Sequence, residues 1–392
     1  MKLKQFARVL GSAVFGLAAA ASVQAADVSF SGIYNTGLYY LNPSHGDDSF
    51  KLAGVGETPV DSSLHLHAKE NLGDGRYIGV HLGITFSGDT GSLTSPGVLF
   101  DGSRILFGNE NIEFSIGRFG GFTVAETPYS AYTRLQANLT MSQLTGIAPA
   151  NITHRTMRPS NAVAFSTRPE TGFFLQGYYT NGDSDAAGDE ETLYDWSDRV
   201  HAGQLAFGWV GQRLRLGAIY TWEMPGDSLN VAGARNARHD DTNAVHLVAN
   251  YNFGGPSASA VLFFGKDVWR LGAAPDLPAM VGVGNTAAGQ NAVRQSSDGL
   301  DVQALILTGA YPMGRHRIST SLGYMQAQWK GVENPDGADD GAMWQAGLVY
   351  NYYFSKKTSL YAATSYADGN RLFEKLPRYN QIMATAGLCV RF

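Results

Sequence analysis

Apolar residues recur at every second position in short runs along almost the whole chain. Near the C-terminus Ile382, Ala384, Ala386, Leu388, Val390 and Phe392 share one parity, while Met383, Thr385, Gly387, Cys389 and Arg391 share the other. Successive side chains of a strand point to opposite faces, so this segment predicts a strand with one apolar face and one mixed face. The same period returns at Leu64, Leu66 and Ala68, and at Ile78, Val80, Leu82, Ile84 and Phe86. It returns again at Leu205, Phe207 and Trp209, at Leu214, Leu216, Ala218 and Tyr220, and at Val245, Leu247, Ala249 and Tyr251. Trp344, Ala346, Leu348, Tyr350 and Tyr352 form a further run. Such strands suit a barrel wall with lipid outside and water inside.

The connections fall into two alternating classes. Tight turns are expected at Gly73-Asp74-Gly75, Asn109-Glu110, Gly211-Gln212, Gly254-Gly255, Pro312 to Arg315 and Ser355 to Lys357. Long polar connections rich in Gly, Asp and Asn cover 41–60, 88–98, 181–199, 224–241, 269–299, 330–341 and 368–377. Short periplasmic turns alternating with long external loops are the outer-membrane pattern. The predicted fold is therefore all-β, a transmembrane antiparallel β-barrel of about 16 strands. One connection departs from the pattern. Residues 119–157 form a long segment with few charges that carries Phe122, Tyr129, Tyr132, Leu135, Leu139, Met141 and Leu144. A long loop with its own apolar residues is usually functional or packed on something. The expectation is a third external loop folded into the lumen as a constriction. The alternative is an external loop laid over a neighbouring subunit.

The N-terminus bears on where the chain goes. Lys2, Lys4 and Arg8 precede an apolar run from Val9 to Ala21, and Val23-Gln24-Ala25 places small residues where a signal peptidase reads. Residues 1–25 are thus expected to be a signal peptide cleaved after Ala25, with 26–392 a single barrel. The run is too short to serve as a membrane anchor. Losing it removes three positive charges and no acid, so the net charge of −5 becomes −8. A mildly acidic mature chain gives no support for nucleic-acid binding. The single cysteine, Cys389, excludes a disulfide-stapled domain.

Four segments then carry a family likeness: "LHLHAKENLGDGRYIGVHLGITFSGDTG" (64–91), "FSIGRF" (114–119), "MRPSNAVAFSTRPETGF" (157–173) and "YNYYFSKKTSLYAATSYADGN" (350–370). With the start "VSFSGIYNTGLYY" (28–40) and the end "GLCVRF", the chain resembles the general diffusion porins of Gram-negative bacteria, in the neisserial and β-proteobacterial branch. The resemblance implies a sixteen-stranded homotrimer in the outer membrane that passes small hydrophilic solutes and ions and holds no cofactor. It also exposes departures. Ser63 stands where the family has a pore arginine, His67 where it has a lysine, and Ala164 at another position that is often basic. The anion preference found in parts of the family is therefore not carried over.

The expected pore-lining and constriction residues are His65, His67, Lys69, His81, Arg104, Arg118, Arg134, Arg155 and Arg158, opposed by Glu126 on the inward segment. Opposite charges across a narrow pore set up a transverse field that orients dipolar solutes and repels apolar ones. His65, His67 and His81 on one inner face also raise a metal reading, but no fourth ligand stands out, and no metal is expected. Their titration near neutrality predicts pH-sensitive conductance instead. No G-x-S-x-G, P-loop, H-E-x-x-H or dinucleotide fingerprint occurs, so no enzyme is expected. Two rival readings remain. One is a solute-selective channel of the same barrel type, for which Tyr129 and Tyr132 are the hint of an aromatic track. The other is a plugged barrel serving adhesion or surface structure.

Overall fold

The computed structural model describes residues 27–392 apart from 45, 55, 94–101, 122–129, 137–160, 185–198, 225–239, 269–297, 332–337 and 375–379. The strands are β1 (Asp27–Pro43), β2 (Ser49–Leu52), β3 (Ser62–Gly73), β4 (Arg76–Phe86), β5 (Gly102–Gly108), β6 (Ile112–Arg118), β7 (Ala162–Thr167), β8 (Gly172–Ser184) and β9 (Arg199–Val210). They continue as β10 (Leu214–Met224), β11 (Thr242–Asn252), β12 (Ser257–Val268), β13 (Leu300–Met313), β14 (His316–Trp329), β15 (Asp340–Tyr353), β16 (Thr358–Gly369) and β17 (Gln381–Arg391). A short helix, α1 (Ala131–Arg134), lies between β6 and β7. Every pairing is antiparallel, and β1 closes the sheet by pairing with β17 from Ile33↔Arg391 to Pro43↔Gln381. Sixteen strands form a closed barrel, and β2 is an addition to it. Closure leaves no open edge for the surrounding lipid to meet, which is what a membrane-spanning sheet requires.

The period-two reading holds along the outer face. Phe30, Leu38, Ile105, Phe173, Phe207, Leu322, Trp344 and Leu388 are all exposed large apolar residues on one parity. They are stable there only against hydrocarbon. The Gly73-Asp74-Gly75 turn takes positive φ at all three residues, 83°, 50° and 71°, which explains two glycines in a row of three.

Two features were not read from the pattern. First, the connection expected at 41–60 contains a strand. β2 pairs with the far half of β1 (Leu38↔Leu52 to Leu41↔Ser49), while β3 pairs with its near half (Asp27↔Lys69 to Ile33↔Ser63). Between β2 and β3, Ala53 is buried with Tyr39, Val349, Ala363 and Met383. Lys51 binds Glu57 at 2.7 Å, and the Ser87 hydroxyl donates to Asp89, holding that carboxyl below its ordinary value. Second, the inner face is not uniformly polar. Ile219, Val248, Val261, Phe263, Val302, Ile306 and Met325 are buried on the inner parity of β10 to β14. The signal is present in "LDVQALILTG" (300–309) and "SASAVLFFG" (257–265), where both parities carry apolar residues.

Candidate functional site: the lumen wall

The site is built by cross-strand register. Leu64, Ile78, Val80 and Ile105 point outward, so Ser63, His65, His67 and Lys69 on β3, His81 on β4 and Arg104 on β5 point inward. His67 pairs directly with His81, and His81 with Arg104, which puts three side chains in one row. The His67 and His81 rings stack with centroids 4.5 Å apart and planes 8° apart. His65 Nδ1 lies 3.2 Å from His81 Nε2, and its Nε2 lies 3.1 Å from Ser63 Oγ. Arg104 is buried, with its guanidinium 5.7 Å from the Phe119 ring centre. This wall is therefore a band of imidazoles ending in an arginine.

Across the lumen, α1 rests on the inner face of β8, β10 and β11. Ser130 caps its start, its hydroxyl accepting from the Thr133 amide at 3.3 Å, and Gln136, at φ 55°, stops it. Its buried side chains point at the wall. The Tyr132 hydroxyl bonds Nδ1 of His246, and burial pushes the phenol well above its ordinary pKa. Leu135 occupies the space over Gly217, where an added Cβ would sit 2.6 Å from Leu135 Cδ1. The backbone is held too: Arg215 Nη1 donates to the Arg134 carbonyl at 2.7 Å, and Asn250 Nδ2 to the Gln136 carbonyl at 3.2 Å. Arg134 is half-buried, its guanidinium 5.4 Å from the Phe174 ring centre and 3.3 Å from Ser166 Oγ. Burial lowers its pKa, and neighbouring Arg168 lowers it further.

A third cluster sits at the short-turn end. Glu113, nearly fully buried, accepts from Arg168 Nη1 at 2.8 Å and from the Tyr77 hydroxyl. Arg168 Nη1 also donates to Tyr77 at 3.1 Å, and Lys69 Nζ stands 4.0 Å over the Tyr77 ring. A buried carboxylate is tolerable only when paired in this way.

A closed sixteen-stranded wall with a charged inner face has counterparts among known proteins. The family model for Gram-negative porins matches residues 13–372. The chain belongs to the Gram-negative porin family. An outer membrane porin protein of Bordetella pertussis is 25 % identical over 379 residues, covering 90 % of this chain and 91 % of the relative. Among solved structures, the anion-selective porin from Comamonas acidovorans superposes with a TM-score of 0.64 at 20 % identity, over 94 % of this chain and 100 % of that one. The trimer form of OmpT, an outer membrane protein of Vibrio cholerae, gives a TM-score of 0.58 at 13 % identity, over 94 % and 100 %. The porin is an outer-membrane protein, and its barrel is a channel wall.

In this porin the expected residues divide into groups. His65, His67, His81 and Arg104 come together on β3 to β5, with Lys69 four residues from the turn. Arg134 stands apart, on α1. Arg118 pairs with Ser103 at the end of β6 and shares the parity of Phe114 and Ile116, not that of Glu113. Glu126, Tyr129, Arg155 and Arg158 lie outside the described residues, as does the cleavage site at Ala25. Residues missed in the sequence are Tyr77, Glu113, Arg168, Arg215 and His246. The parity of "NIEFSIGR" places Glu113 on the inner face, so that one was findable; the pairing of Arg168 with it was not. Among the described residues, the group of three acidic or histidine side chains with all donor atoms within 4.8 Å is Asp240, Asp267 and Asp298, not the three histidines.

Proposed function

We propose that this porin is a water-filled, cofactor-free pore for passive diffusion of small hydrophilic solutes and ions, working as a channel and not as an enzyme, and that residues 119–157 fold inward to narrow it. The observation that carries the proposal is the anchoring of 130–136 to the inner wall through Tyr132, Arg215 and Asn250. These bonds reach β10 one residue and β11 two to six residues from their short-turn ends, deep in the barrel. Solutes then pass between this segment and the His67–His81–Arg104 row. Selection follows from pore width and wall charge rather than tight binding. The inner parity of the described strands carries Lys69, Arg104, Arg215, Arg317 and Arg391, with Arg134 on α1, against Glu113 and Glu223, and this balance gives a weak preference for anions. The trimeric form of the OmpT relative supports a homotrimer of three parallel pores embedded in outer-membrane lipid.

The test is a planar-bilayer recording of the refolded protein under a salt gradient. The proposal expects large steps grouped in threes and a reversal potential displaced modestly towards anions. Small or absent steps would favour a plugged structural barrel. Saturable block of conductance by a sugar would favour a solute-selective channel.

A further inference from the structure

The outer wall carries a feature that passive diffusion does not use. On β11 to β14, at the ends leading into the long connections, the outward parity changes from apolar to polar in one step. Val245 gives way to Asn243, Phe264 to Lys266, Leu305 to Gln303 and Tyr324 to Gln326. These polar residues are register neighbours: Asn243 faces Lys266, and Gln303 faces Gln326. On β15 the same layer holds Ala342, opposite Gln326 and joined to the next connection by the Asn370 amide donating to its carbonyl at 3.0 Å. Its small side chain leaves a hollow. The result is an open cleft of about 770 Å³ on the outside of the barrel.

The lining chemistry is specific. Five side-chain amides, Asn243, Gln303, Gln326, Gln328 and Asn370, face the cleft, and each carries both a donor and an acceptor. Charge is balanced: Lys266 and Arg371 lie on the lining with Asp301 and Asp340, Arg371 binds Asp340 at 2.6 Å, and Lys266 stands 3.4 Å from Asp267. A neutral cleft rich in amides suits hydroxyl groups better than a bare anion. Below them Tyr324 stands beside its register partner Trp344, ring centres 4.4 Å apart and planes tilted at 48°, giving an aromatic sill at the top of the lipid-facing band. Beneath it Leu262, Leu305, Leu322 and Leu348 are exposed on the outer face, where acyl chains lie.

We propose that this cleft seats the sugar head group of a glycolipid in the outer leaflet, with the lipid's acyl chains on the apolar band below. This rests on the outer-membrane location and on the long connections being external. The amides hydrogen-bond the sugar hydroxyls, and the Tyr324 edge carries the saccharide's apolar face.

The experiment is native mass spectrometry of the full refolded protein in detergent, titrated separately with a purified lipopolysaccharide of short core and with phosphatidylglycerol, with single-channel conductance recorded on the same preparations. A Gln303→Leu/Gln326→Leu variant extends the apolar band upward without touching the lumen. Arg371→Ala removes the rim pair from a connection outside the strands. Wild type should retain the glycolipid over the phospholipid, and the double variant should lose affinity for it by roughly tenfold. Conductance should stay unchanged in both variants. Equal affinity in wild type and the double variant would overturn the proposal, as would equal binding of the two lipids. Loss of the oligomer in the double variant would overturn it too, by making the cleft a contact between protomers. Absent conductance with selective glycolipid binding would count against the channel reading alone and leave this one supported.

Discussion

The inner wall over β3 to β5 and the inner wall over β8 to β14 come from the same strand grammar but do opposite things. On the first, the inward parity carries His65, His67, Lys69, His81 and Arg104. On the second it carries Phe174, Ile219, Val248, Phe263, Ile306 and Met325, all buried. A water-filled barrel gives no reason for these six large apolar side chains on its inner face; a segment that must be seated there does. Tyr132 and Leu135 of α1 belong to the same buried cluster as these wall residues. The difference teaches that one wall sets the charge along the path and the other fixes its width.

The comparison can be broken most strongly at Gly217. Gly217→Val puts a branched side chain where Leu135 now sits, an overpacking that costs about 1–3 kcal/mol. α1 then loses its seat, and the steady open level should give way to a fluctuating one in single-channel recordings. A quiet trace at the wild-type level would show that the seat does not hold the segment. On the opposite wall, Arg104→Gln keeps hydrogen-bonding capacity but removes a charge from the row with His81 and His67. The reversal potential should move towards cations with little change in conductance; a change in conductance without a shift in selectivity would assign Arg104 to width instead. The smallest effect is expected from pH. Lowering the pH adds positive charge to imidazoles. Anion preference should therefore rise as pH falls from about 8 to about 5, and His65→Gln/His67→Gln/His81→Gln should flatten that slope. A slope that survives the triple substitution places the titrating group elsewhere.

The charge-bearing wall was largely legible in the sequence, because alternation fixes which side chains of a strand point the same way. His67 and His81 could be put on one face from their neighbours Leu66 and Leu82 alone. The parity of Ile382 to Phe392 likewise gave the last strand correctly. The width-setting wall was not legible in the same manner. Both parities of "LDVQALILTG" carry apolar residues, which marks a strand covered on both faces, but periodicity does not say what covers the second face. α1 is four residues long, too short for a helical period to register, and is specified by its contacts with β10 and β11 rather than by its own sequence. The Glu113–Arg168–Tyr77 cluster joins three strands' ends far apart in the chain, and only register brings them together.

The central claim is that residues 130–136 sit on the inner face of β10 while the pore conducts. A Leu135→Cys/Gly217→Cys variant on a Cys389→Ser background tests this directly, since a Cβ at 217 lies within side-chain contact of Leu135. The account predicts that mild oxidation closes the disulfide in the folded protein and that the locked pore keeps the conductance of the reduced one. Failure to close the bond, or a conductance that changes on closing it, would contradict the placement of this segment beside the permeation path.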